Sequence, residues 1–196
     1  MTTEEATGRI RNIIDREDTA YLSNSEIQAF IVMAVDEFVQ QYYTGFETTQ
    51  DNRDKLQNLV VDDAISISDT SPSLLSSMTA ANVNYYRLLS AHVTSSPKVN
   101  AKIIQISDLN AYLNDPFNKA DSGNPALYLA GGKINSLGLS SSTSLTVKYL
   151  KQASDITDLD SHTHEEVCQI AARKVLATLG DPRYQAFQAE LTERRV

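Results

Sequence analysis

The stretch SNSEIQAFIVMAVDEFVQQYY, residues 23–43, constrains the fold more than any other part of the chain. Ile27, Phe30, Ile31, Ala34, Val35, Phe38 and Tyr42 recur in steps of three and four, which draws one continuous stripe along a helix. Val32, Met33, Val39 and Tyr43 widen the stripe beyond a single face. A helix apolar on more than one side must lie centrally in a core, or meet another subunit as well. Ser23 and Glu26 form a capping box at its start, and Gly45 is a plausible stop.

Helices are expected on both sides of this one. Thr2 and Glu5 form another capping box, followed by Ile10, Ile13 and Ile14 at helical spacing. A third, more polar helix is expected over 49–60. After residue 60 the chain turns Ser-, Thr- and Asp-rich, as in a strand-and-loop excursion. Strand candidates follow at 83–93, 99–106, 126–137 and 144–150, with a hairpin turn at Gly131-Gly132. A short helix is expected within 107–117, ended by Asp115-Pro116. Helical periodicity returns near residue 164 and runs to Gly180. A last helix opens with Asp181 as cap and Pro182 in its first turn, with Tyr184, Phe187 and Leu191 as its stripe. The expected fold is α+β: N-terminal helices, a central antiparallel β region with hairpins, and a C-terminal helical pair packing on the N-terminal helices. The corresponding parts are 1–60, 61–160 and 161–196, one composite domain with a β excursion.

The sequence SHTHEEV, 161–167, raises a chemical question. His162 and His164, with Glu165 or Glu166, could be read as metal ligands of a hydrolase. On a helix, however, residues two apart point about 200° apart. The only further histidine is His92, and Cys168 stands where an HExxH motif needs histidine. The simpler reading is a helix start, with Thr163 as cap and Glu166 reaching back to it. Cys168 then falls on the core stripe as a small hydrophobe. As the single cysteine it forms no internal disulfide. GGK at 131–133 is not a phosphate loop, because Leu127 and Ile134 occupy positions that need Gly and Ser or Thr. GLSSS lacks the second glycine of a nucleophile elbow, and no EF-hand loop fits. No catalytic residue, cofactor or metal ligand is expected.

A net charge of −8 opposes a general affinity for nucleic acid. The polar start has no apolar core of a secretory signal, and no apolar run is long enough for a bilayer. A soluble protein used without export is expected.

The whole arrangement resembles the head–tail connector and ring proteins of tailed bacteriophages, of the crAss-like phage type. Residues 20–190 carry the resemblance. Its parts are YLSNSEIQAFIVMAVDEFVQQYY, NVNYYRLLSAHV, DLNAYLNDPFNKADSGNPALYLAGGKI, and LTVKYLKQASDITDLDSHTHEEVCQIAARKVLATLGDPRYQ. Gln152-Ala153 departs from the proline expected after the last strand. The resemblance implies a structural virion protein with no catalytic mechanism. About twelve copies would close a ring between portal and tail, against portal and neighbouring tail or ring proteins. Double-stranded DNA would pass through the channel without specific binding, and no membrane is involved. Tyr42, Tyr43 and Phe46 are the interface candidates, because aromatics dominate interface energetics. Packing against the C-terminal helices is the equal alternative for these three.

Overall fold

The computed structural model describes residues 1–14, 22–66, 85–94, 98–117, 119–130, 133–139, 143–181 and 183–185. The chain divides into two compact units, Met1–Leu59 with Ala153–Val196, and Val60–Gln152. The architecture is α+β.

The first unit is helical. α1 (Thr3–Ile14) opens with the expected box, in which Glu5 N–H donates to Thr2 Oγ1 at 3.2 Å and Thr2 N–H to Glu5 Oε2 at 2.8 Å. α2 (Asn24–Tyr43) opens with the reciprocal bonds of Ser23 and Glu26. These bonds satisfy backbone donors that have no partner inside the helix. Arg11 of α1, itself buried, donates to the Leu22 carbonyl at 2.7 Å and to Asn24 Oδ1 at 2.9 Å, tying the end of one helix to the start of the next. α3 (Gln50–Leu56) runs into a 3-10 turn ending at Leu59. It is shorter than the expected 49–60, because Val60 already pairs in the sheet. The strands and a short helix between two of them belong to the second unit. The chain returns at Ala153 to form α5 (His164–Thr178).

α1, α2 and α5 pack on one another. Ile27, Ile31, Ala34, Val35 and Phe38 of α2 are fully removed from water or nearly so. They meet a core supplied by Ala6 and Ile10 of α1 and by Val167, Ala171 and Val175 of α5. Each of the Ile, Val and Phe side chains among them contributes about 1.5–3 kcal/mol by leaving water. The widening residues separate: Val39 is buried, whereas Val32 and Met33 stay 42% and 53% exposed.

α5 ends in a Schellman motif. Asp181 N–H donates to the Leu176 carbonyl and Gly180 N–H to the Ala177 carbonyl, with Gly180 at φ +65°. Asp181 Oδ1 accepts from Arg183 N–H at 2.9 Å, as expected of a cap. The rest of the last helix, with Pro182, Phe187 and Leu191, lies outside the described residues.

The second unit is a six-stranded sheet of β1 (Val60–Ser66), β2 (Tyr85–Val93), β3 (Val99–Ile103), β4 (Ala126–Ala130), β5 (Lys133–Leu137) and β6 (Ser144–Lys151), in the order β1-β6-β2-β3-β4-β5. Every pair is antiparallel except β3–β4. The exception follows from the chain path. β3 passes through a 3-10 turn and α4 (Leu109–Asn114) before β4, and such a crossover delivers a parallel neighbour. β3 serves two partners, β2 through Val99–Ala101 and β4 through Lys102 and Ile103. β4 and β5 pair as the expected hairpin, with Ala130 opposite Lys133, while Gly131-Gly132 lie outside the described residues.

β6 is central. Its alternation buries Leu145, Val147 and Tyr149, which gather Ala91, Val93, Leu127 and Ile134 into one core. After β5, Gly138 adopts φ +80° against the turn at Asp121, where a Cβ would stand 2.6 Å from Asp121 N and 2.7 Å from its O. Only glycine fits there without backbone movement.

The two glycines at positive φ separate strain from crowding. Gly180→Ala has open space and costs about 1–2 kcal/mol of left-handed strain alone. Gly138→Ala adds backbone overlap and costs more. Urea titration of both variants checks this order, with Gly138→Ala showing the lower midpoint.

Candidate functional site

Tyr42, Tyr43 and Phe46 close the C-terminal end of α2, and all three are half-buried. Tyr42 packs its ring on Phe38 with centroids 4.7 Å apart. Its hydroxyl donates to Glu166 of α5 and accepts from Lys55 Nζ of α3 at 2.9 Å. Lys55 also lies 3.3 Å from Asp51 and 3.5 Å from Glu166, with its ammonium 4.0 Å from the Tyr42 ring centroid. Burial, and then the hydrogen bond to Glu166, push the Tyr42 phenol above its ordinary value. Burial opposes the Lys55 charge, but Tyr42 and Glu166 outweigh it and raise Lys55. Tyr42 therefore joins three helices within its own unit. The Tyr43 carbonyl accepts from Phe46 N–H at 3.0 Å, and the Phe46 carbonyl from Arg53 Nε at 3.2 Å. The turn after α2 is thereby clamped by α3.

At SHTHEEV the local chemistry differs from the expected capping box. Thr163 has helical backbone angles and no capping bond from its side chain; its hydroxyl donates to the Asp160 carbonyl at 2.7 Å. The cap is moved upstream because 161–163 form a 3-10 turn that Asp160 initiates. Glu166 does not reach back, since Tyr42 and Lys55 engage it. Glu165 makes a two-pronged pair with Arg9 of α1, at 2.7 and 3.1 Å.

The two histidines have opposite surroundings. His162 is half-exposed and its Nδ1 lies 3.0 Å from Asp160, whose carboxyl is held below its ordinary value first by that bond. His164 is buried, its Nε2 lies 3.2 Å from the Leu159 carbonyl, and its Nδ1 has no partner. His92 lies on β2 in the other unit. Among the described residues no group of three or more His, Cys, Asp or Glu is arranged to hold a metal ion. Cys168 is fully buried beneath the start of α5, and burial pushes its thiol up to about 11.

A further ionic contact fixes α2 to α5. Arg173, 8% exposed, and Lys174 both bind the Glu37 carboxylate, Lys174 at 2.7 Å. Burial works against the Glu37 charge, but hydrogen bonds from Lys174 and Arg173 win and hold the carboxyl below its ordinary value. This gives Glu37, in the middle of the Asp36-Glu37-Phe38 segment, a structural role between the buried Phe38 and the polar rim.

The β unit holds a feature that the sequence reading passed over. A cavity of about 410 Å³ opens between the end of β3 and α4. Asp108, Ala111, Tyr112 and Asp115 line it from one helical face. Their spacing of three, four and seven was visible in 107–117, but nothing in a single short helix tells which face will meet a strand.

No helix among the described residues is long and apolar enough to cross a membrane.

Two measurements check this chemistry. Cys168 stays unmodified by a thiol-specific disulfide reagent at pH 8 in the native protein, and reacts once urea unfolds it. For Glu37, the folded carboxyl titrates below the unfolded one, so its stabilisation is complete above the ordinary carboxylate range. That stabilisation is lost as pH falls from there through the lowered folded value. Glu37→Gln is accordingly less stable than the parent at pH 7, and the difference shrinks in urea titrations carried below pH 4.

No protein-family model matches the chain, and a search of curated proteins finds no match.

Proposed function

We propose that this chain is a structural virion protein, one copy in a closed ring of the head–tail connector between portal and tail. Its sequence resemblance over residues 20–190 supplies the class. The observation that carries the reading is the outer side of α2. A helix whose inner stripe is fully buried still presents Val32 and Met33 to water, in one of the most apolar segments of the chain. A contact of that kind with a different surface of the next copy generates a ring when the rotation per copy closes. About twelve copies surround the channel. Portal and neighbouring tail or ring proteins are the partners, and DNA passes without specific contacts, which a net charge of −8 favours. Tyr42, Tyr43 and Phe46 serve this ring through the clamped end of α2, with Tyr42 also committed inside its own unit.

A role in catalysis through His162 and His164 is not favoured by a geometry that exposes one imidazole and buries the other. The protein acts by assembly and is located in the virion.

Mass photometry with and without the portal protein, on a sample also assayed for metal, tests the proposal. The expected result is a species near about 260 kDa, twelve chains of 21.6 kDa, alone or on the portal. Val32→Lys with Met33→Glu abolishes that species and leaves far-UV circular dichroism unchanged. A lasting monomer that ignores the portal overturns the ring reading, in favour of a hydrolase if one metal per chain is present and of a monomeric adaptor if none is.

A further inference from the structure

In the six-stranded sheet β1 and β5 are the two outer strands. An outer strand presents a row of backbone donors and acceptors on its open side, and a strand of another copy can pair with them. β5 spans five residues, whereas β1 spans seven, and all seven pair with β6. β1 is therefore the longer template of the two.

Register fixes which way the β1 side chains face. Val61 stands opposite Tyr149, and Asp63 stands opposite Val147. Directly opposed residues share one face of a sheet. Tyr149 and Val147 are fully buried in the core of this unit, and Val61 packs against that core. Asp63 thus carries its carboxylate on the apolar face, where it is half-buried. Its charge reaches Tyr149, whose phenol is pushed above its ordinary value first by burial and then by Asp63. Among the described residues no hydrogen bond or ion pair engages the Asp63 carboxylate. Asp62 faces the other way and pairs with Lys148 at 3.4 Å. Burial opposes a charge that nothing compensates, so Asp63 weakens its own unit where it stands.

The position of Asp63 within β1 gives the charge a use. It is the fourth of seven residues, Val-Val-Asp-Asp-Ala-Ile-Ser. Two copies of β1 pairing antiparallel in full overlap would place residue 63 opposite itself. Like charges directly opposite each other destabilise a strand pair. Strands lie about 4.8 Å apart, so the added strand would also strip water from both carboxylates. β1 contains no cation that could relieve them.

We propose that Asp63 guards the edge of this sheet: its inward carboxylate keeps β1 from pairing with β1 of a second copy of this chain. The guard works through charge and position, and any inward charge at 63 serves. Asp62, on the opposite face and opposite residue 64 in such a pair, has no part in it.

The test uses the full chain carrying Val32→Lys with Met33→Glu, which removes an α2 contact between copies whether or not the ring exists. Into it are placed Asp63→Val, Asp63→Lys or Asp62→Val. Sedimentation velocity measures association, hydrogen exchange measures protection of the 60–66 amides, and urea titration measures stability. Asp63→Val should self-associate at least about tenfold more tightly than its background. It should gain protection within 60–66 as it does so, with a urea midpoint at low concentration no lower than before. Asp63→Lys and Asp62→Val should stay monomeric. A monomeric Asp63→Val, or association without new protection in β1, would overturn the proposal. So would a lowered midpoint, which makes the association a consequence of unfolding. Equal association of Asp62→Val or Asp63→Lys would overturn it as well, since inward position or charge would then not matter.

Discussion

Burial of the α2 stripe against α1 and α5 is the constraint on which the helical unit depends. Phe38, Ile27 and Ile31 have no other way out of water, and neither neighbouring helix forms a core alone. The partners come from opposite ends of the chain, so the core closes a loop that contains the whole β unit. Loop closure costs only a slowly growing entropy, and a β unit that folds on its own core shortens the effective loop further. The helical unit is therefore stable as a product of two distant segments, and slow to form relative to a local helical hairpin.

Polar contacts in this unit give register more than bulk stability. Glu37 with Arg173 and Lys174, Tyr42 with Glu166 and Lys55, and Glu165 with Arg9 each join two or three helices at the edge of the apolar contact. An exposed pair such as Arg9–Glu165 contributes little free energy. Breaking the pair that holds the nearly buried Arg173 is a different matter, because it leaves a charge without compensation. The same contacts explain the departure at SHTHEEV. Glu166 has a choice between a local backbone donor and two groups brought by other helices, and the charged, partly buried alternative wins.

The β unit shows a second way in which tertiary context overrides local pattern. β6 reads as an alternating strand, and its alternation is realised with β1 and β2 on either side. β3 was expected to alternate through residue 106 but stops at Ile103, because its second half must pair with β4 and then release the chain into α4. The parallel β3–β4 pair and the cavity beside α4 are two consequences of that one crossover.

The sequence by itself determined the elements and the class of fold. Capping boxes at Thr2 and Ser23, the three-four steps of 27–42, the hairpin at 126–137 and the stop at Gly180 are local signals, each readable from a few neighbouring residues. Tyr42 and His164 could be singled out by type, but His162 and His164 diverge because His162 sits in the 3-10 turn that precedes the helix beginning at His164. Only the tertiary structure decided which apolar side of α2 is core, where Glu166 goes, and which face of α4 lines a cavity. The first two depend on groups separated by more than a hundred residues, such as Tyr42 and Glu166, and the third on how the strand before α4 is placed in the sheet. Periodicity says that a side chain shares a face with its neighbours. It carries no information about what the rest of the chain brings to that face.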